Sequence, residues 1–152
     1  MRTVAAVCCG VLMLAAVGGA ATGAAAGTAV PTPLFASVPA GGYPDRFPFG
    51  ECTWWAAYNH PVAWSGDAGA WLRNASAAGA ATSAVPSVGA IAVYAPGGPY
   101  SALGHVAIVI AVDAQSYRVS EMHAPDWGAV REREIAWPDP QALGFIPRAA
   151  IP

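Results

Sequence analysis

Gly104-His105-Val106-Ala107-Ile108-Val109-Ile110-Ala111-Val112, then Asp113-Ala114-Gln115-Ser116, then Tyr117-Arg118-Val119-Ser120-Glu121-Met122-His123: this stretch decides the fold. Two apolar, β-branched runs separated by a short polar connection are the pattern of a β-hairpin. Upstream, Val88 to Tyr94 is a short apolar strand, and downstream Val130 to Trp137 and Leu143 to Ile146 are two more. Before these the period differs. Cys52-Thr53-Trp54-Trp55-Ala56-Ala57-Tyr58 is too bulky and apolar for a loop and predicts a buried helix, with Gly50 permitting a tight turn into it. Gly66 to Ala78 predicts a second helix, capped by Asp67, with Trp71 and Leu72 inward and Gly79 as the stop. Helices followed by consecutive strands imply an α+β domain: N-terminal helices packed on an antiparallel sheet of about five short strands.

The 152-residue chain has room for one domain, expected over residues 43–148. Residues 1–26 carry one charged side chain, Arg2, then an apolar middle and an Ala-rich exit. Those are the parts of a secretory signal peptide, so the mature protein is expected to be secreted or periplasmic. The alternative is an uncleaved anchor, which the Ala- and Gly-rich middle fits poorly, being shorter than the ~20 strongly apolar residues a span needs. Residues 27–42, rich in Pro and Gly, are expected to be a flexible linker. Loss of the signal removes Cys8 and Cys9 and leaves Cys52, which has no partner for an internal disulfide. The chain contains no lysine, and its formal net charge of −2 becomes −3 once Arg2 is gone. Only Arg131-Glu132-Arg133-Glu134 clusters charge, with alternating sign, so no nucleic-acid partner is expected. A stable membrane partner is not expected either, and the domain is expected to be a monomer.

A lone thiol is more often a small core side chain than a nucleophile. Cys52, however, stands at a predicted helix N-terminus, where unpaired N–H groups favour the thiolate and can hold an oxyanion. His105 opens a strand directly after Gly104, which leaves space for another group to approach. Glu121 interrupts an apolar strand, and a thiol–imidazole pair needs a third group to orient the ring. His123, two residues on, shares its face.

Phe47-Pro48-Phe49-Gly50-Glu51-Cys52-Thr53-Trp54-Trp55-Ala56 closely resembles the cysteine motif of CHAP domains, the cysteine- and histidine-dependent amidohydrolases and peptidases. Further blocks follow in that family's order: Trp64-Ser65-Gly66-Asp67-Ala68 with Trp71, Pro86 to Val93, Gly104 to Val109, Ser120-Glu121-Met122, Trp127-Gly128 and Gly144-Phe145-Ile146. Ordered blocks are far more specific than one motif. The resemblance implies a papain-like α+β fold, no metal or other cofactor, and hydrolysis of peptidoglycan amide bonds. The bond is the N-acetylmuramoyl–L-alanine link or one inside peptide stems and cross-bridges. Cys52 carries over as nucleophile, His105 as base and Glu121 as third group, with His123 as an auxiliary orienting residue where many members have Asn. Many members also have Gln where Glu51 stands, so the Glu51 carboxylate is expected to point away from the thiol. Trp54, Tyr100 and Trp127 are expected to line the substrate groove. A catalytically silent binding module and a papain-like hydrolase of a protein substrate are the other classes compatible with the fold.

The hairpin yields a geometric expectation. If Val112 paired with Tyr117 in a regular ladder, Ile108 would face Glu121 and His105 would lie on the wrong side. A Cys-His-Glu site therefore requires an odd-length connection or a bulge between residues 111 and 118, with Cys52 packed against the His105 face.

Overall fold

The computed structural model describes residues 31–123 and 126–149, so the proposed signal peptide lies outside the described residues. Its elements are α1 (Cys52–Asn59), a 3₁₀ turn (Ala68–Ala70), α2 (Trp71–Ala77), β1 (Ile91–Tyr94), β2 (His105–Val112), β3 (Ser116–Glu121), β4 (Arg131–Ala136) and β5 (Ala142–Ile146). The strands form one antiparallel sheet in the order β4-β3-β2-β1-β5. The fold is α+β, as the order of helices and strands implies.

Alternation along the strands separates two apolar layers. Ile91, Val93, Val106, Ile108 and Ile146 face the helices and pack with Ala56, Ala57, Trp71 and Ala75. Ala92, Tyr94, Ala107, Val109, Tyr117, Val119 and Phe145 form a second cluster on the opposite face, flanked by Tyr100 and Trp137. The first layer fixes α1 beside the start of β2; the second surrounds the side chains of His105 and Glu121.

Three local expectations are corrected. The segment predicted as one helix from Gly66 is a 3₁₀ turn followed by α2, and Asp67 makes no side-chain cap hydrogen bond. Gly69 is a weak helix former, and its N–H is taken by the Leu103 carbonyl (2.8 Å) rather than by the helix. Residues 31–42 pack onto the domain instead of behaving as a linker: Val38 is buried, the Leu34 N–H bonds Asn59 Oδ1 at 2.8 Å, and the Tyr58 hydroxyl bonds the Pro31 carbonyl at 2.7 Å. Leu34 and Phe35 supply the apolar surface that Pro and Gly content obscures.

The hairpin register is the third. Val112 does pair with Tyr117 and Ala111 with Arg118, across an even connection closed by the Asp113 N–H to the Ser116 carbonyl at 2.9 Å. The required shift comes from a bulge at Ile110, one residue before the expected window: Val109 pairs with Val119 and Ile108 with Ser120. One step further along, Ala107 falls opposite Glu121, and Glu121 shares the face of His105.

Candidate active site

His105 opens β2 behind Gly104, whose φ is +81°. A Cβ at residue 104 would lie 2.5 Å from the Gly69 nitrogen, 2.6 Å from its Cα and 2.8 Å from the Tyr94 carbonyl oxygen. The group that approaches the glycine is thus backbone, and the close contact fixes the base of the histidine strand against the 3₁₀ turn.

The His105 imidazole is buried, and its Nε2 lies 2.9 Å from Glu121 Oε2. An ionised carboxylate is acceptor-only, so Nε2 carries the proton and Nδ1 is the basic nitrogen. Glu121 is also buried, and Arg133 donates to it twice: Nε to Oε1 at 3.1 Å and Nη2 to Oε2 at 3.2 Å. Burial opposes its ionisation, but the hydrogen bonds from His105 and Arg133 and their charges outweigh it, holding the carboxyl down to about 2. Burial also lowers the proton affinity of His105, with Glu121 pulling the other way. His123 stands edge-on to His105 (ring centroids 5.3 Å apart, 83° between planes), its Nε2 3.6 Å from Glu121 Oε1. Both histidines therefore meet one carboxylate, with the shorter contact from His105.

Cys52 is the first residue of α1, entered through Gly50 at φ +96°. Its packing corrects the expected placement: the side chain joins the helix-facing layer, not the face of His105. The sulfur meets that strand at its backbone, where the N–H groups of Val106, Thr53 and Cys52 itself are directed at it. Its ionisation is a second correction. Burial pushes the thiol up to about 11, more than these N–H groups lower it, and the Glu51 carboxylate adds to the rise. Glu51 lines the same cavity as Cys52 and accepts a hydrogen bond from Thr53 Oγ1 at 3.4 Å; it does not turn away as expected. The partial charge of a helix N-terminus is local, whereas the desolvation that outweighs it is imposed by the tertiary fold.

Cys52, His105, Glu121 and His123 open into one cavity of about 860 Å³, with Tyr100 and Trp127 on its walls. Trp127 is 62% exposed at the mouth, in a turn held by the Gly128 N–H to the Gly50 carbonyl. Trp54 does not line the cavity. Its ring packs between Phe49 (centroids 4.7 Å), which precedes the helix, and Tyr58 (4.9 Å), one turn further along α1. Tyr100 does more than line a wall: its ring lies parallel to His105 at 5.0 Å and 6°. Sequence reading missed Arg133 altogether, seeing an alternating charge run. The available signal was period two, since Arg133 shares the strand face of the apolar Ile135. Among the described residues no cluster of His, Cys, Asp and Glu is arranged to hold a metal ion.

The Cys52 thiol at a helix N-terminus and the carboxylate-bound His105 imidazole thus face one cleft. The sequence model of the CHAP domain matches residues 42–123, more than half of the chain, and the protein belongs to the CHAP domain family, with its papain-like α+β fold. A solved structure of an N-acetylmuramoyl-L-alanine amidase from Staphylococcus aureus is similar to it, with 28% sequence identity and a TM-score of 0.51. The similarity covers 57% of this chain but only 27% of the amidase, so the chain spans about a quarter of that protein's length.

Proposed function

We propose that this protein is a secreted peptidoglycan hydrolase that cleaves amide bonds through Cys52, His105 and Glu121. The observation that carries the reading is the 2.9 Å His105–Glu121 hydrogen bond opening into the same cavity as Cys52 at the start of α1. The similarity to a staphylococcal amidase and the membership of the CHAP family support the substrate class. The signal-like start of the chain supports an extracytoplasmic site of action.

With the thiol held near 11 and the imidazole's proton affinity lowered, both groups are neutral at rest: a Cys52 thiol and a His105 imidazole lining the same cavity. As substrate enters, His105 Nδ1 takes the thiol proton while the sulfur adds to the amide carbonyl carbon. Glu121 stabilises the imidazolium formed, and N–H groups at the start of α1 stand where the tetrahedral oxyanion develops. His105 then returns the proton to the departing amine, leaving a thioester on Cys52. Water, deprotonated by His105, releases the acid and restores the thiol.

The test is digestion of purified sacculi by the mature protein, with mass spectrometry of the fragments. Release of fragments by wild type and none by Cys52→Ala is the expected result, and the new end groups identify the bond. Intact sacculi after prolonged incubation with folded wild-type protein would refute the reading.

A further inference from the structure

The His105–Glu121 pair is one end of a longer assembly. Arg133 sits on β4, opposite Val119 in the ladder, and reaches diagonally to the Glu121 carboxylate at the end of β3 with both Nε and Nη2. The same Nη2 donates to the Tyr100 hydroxyl at 2.9 Å. Its guanidinium also lies over the Tyr100 ring at 5.4 Å and the Tyr94 ring at 5.9 Å. Both tyrosines stack on His105, Tyr94 with centroids 5.8 Å away and Tyr100 at 5.0 Å. Arg133 thus holds the group that orients the imidazole and the ring that covers it, from a strand whose Arg131 and Glu132 also line the cavity.

We propose that Arg133, clamped by Tyr100, is a positioning residue that fixes the Glu121 carboxylate on His105 and sets how readily that imidazole takes a proton. A planar fork on a carboxylate removes the rotational freedom a lone His–Glu hydrogen bond would leave. Its positive charge also competes with the imidazolium for Glu121, which keeps His105 a weaker and faster-releasing base. The charged and titratable groups around His105 and its cavity are Cys52 and Glu51 on the α1 side, Asp67, Tyr94 on β1, Tyr100, Glu121 and His123, and Arg131, Glu132 and Arg133 on β4. Among these, Arg133 is the permanent cation hydrogen-bonded to the carboxylate that holds His105, whereas Arg131 pairs with Asp126. The arginine's role rests on the hydrolase reading above, but its effect on the imidazole is measurable without turnover.

The experiment titrates His105 by carbon-labelled histidine NMR, assigned with His60→Gln and His123→Gln, in wild type, Arg133→Gln, Arg133→Lys and Tyr100→Phe. The pH dependence of kcat/KM on soluble wall fragments is recorded in parallel. Loss of the cation should raise the His105 midpoint by about one pH unit and move the acid limb of kcat/KM upward equally. Arg133→Lys, which keeps the charge, should return most of the shift. Tyr100→Phe, which keeps the stacked ring, should give a smaller shift in the same direction. An unmoved midpoint in both Arg133→Gln and Tyr100→Phe, or equal shifts for Gln and Lys, overturns the proposal. If the titration moves while wild type digests no wall material, the clamp stands and only the hydrolase reading falls.

Discussion

Glu121 receives the Nε2–H of His105 at 2.9 Å although the two residues lie on strands whose connection, taken alone, would put them on opposite faces. The bulge at Ile110 reverses the alternation between the hairpin loop and the site, so that Tyr117, Val119 and Glu121 share the face of His105. The carboxylate so placed is acceptor-only and buried, which dictates the tautomer of the imidazole and leaves Nδ1 as its unprotonated nitrogen.

Removing that carboxylate's charge tests the tautomer directly. Glu121→Gln keeps the shape but presents an amide N–H₂ to either His105 or Arg133, both donors. The expected outcome is a folded protein whose kcat falls by about 10²–10⁴-fold, in line with mis-set imidazoles in other hydrolases. Activity within threefold of wild type would show that His123 suffices as the orienting group.

The raised thiol predicts slow labelling. At pH 7 Cys52 should react with iodoacetamide more slowly than a free model thiol, and the rate should climb about tenfold per pH unit toward pH 11. This reverses what the helix N-terminus alone suggests. Fast, pH-independent alkylation between pH 6 and 8 would demonstrate a preformed thiolate–imidazolium pair. In either case Cys52→Ala should fold and lose at least ~10³-fold in rate, and a chelator should leave a thiol mechanism untouched.

Stability should fall in two stages on acidification. Burial lowers the folded-state proton affinity of His105 and His60 below their ordinary 6.5, so the unfolded chain binds protons first. Their contribution is full above pH 6.5 and is lost as pH falls through the lowered folded values. His60 sits between the Pro61 carbonyl (Nδ1, 3.0 Å) and the Pro147 carbonyl (Nε2, 3.3 Å), which offsets part of its burial. Glu121 contributes stability above its ordinary 4.5 that is lost as pH drops toward about 2. Thermal melts from pH 8 to pH 3 should show both windows, and a flat Tm between pH 7 and 5 would contradict the histidine assignment.

Gly104 and Gly79 separate backbone strain from collision. Both have positive φ, but a Cβ on Gly79 meets nothing within 4 Å, whereas one on Gly104 meets three backbone atoms within 2.8 Å. Gly79→Ala should cost about 1 kcal/mol in urea denaturation, and Gly104→Ala about 2–4 kcal/mol. Equal costs would mean that the contact with Gly69 relaxes freely.

Trp127 stands at the cavity mouth, largely exposed. Trp127→Ala should leave Tm within about a degree while raising KM several-fold with kcat little changed, the signature of lost ground-state contact. A kcat loss without a change in KM would place the indole nearer the reacting bond.

Much of this protein was legible in the chain itself. The period-two runs of β2 and β3, the bulky apolar Cys52–Tyr58 segment and the glycines at 50 and 104 encode local structure, because each depends on neighbours a few residues away. That Cys52 and His105 are candidate site residues rests on their placement at element starts and on the order of blocks along the chain, and both line one cavity. Tertiary structure decided the rest, for reasons no local pattern carries. Where along β2 the extra residue sits depends on which register buries Val109 and Val119 together. That the Cys52 thiol is pushed up follows from the layer it packs in, since desolvation outweighs the few N–H groups its helix start supplies. Arg133 belongs to the site only because β4 lies beside β3, bringing a residue twelve positions away in sequence onto the Glu121 carboxylate. Charge patterns report what a side chain is; only the assembled sheet determines what it faces.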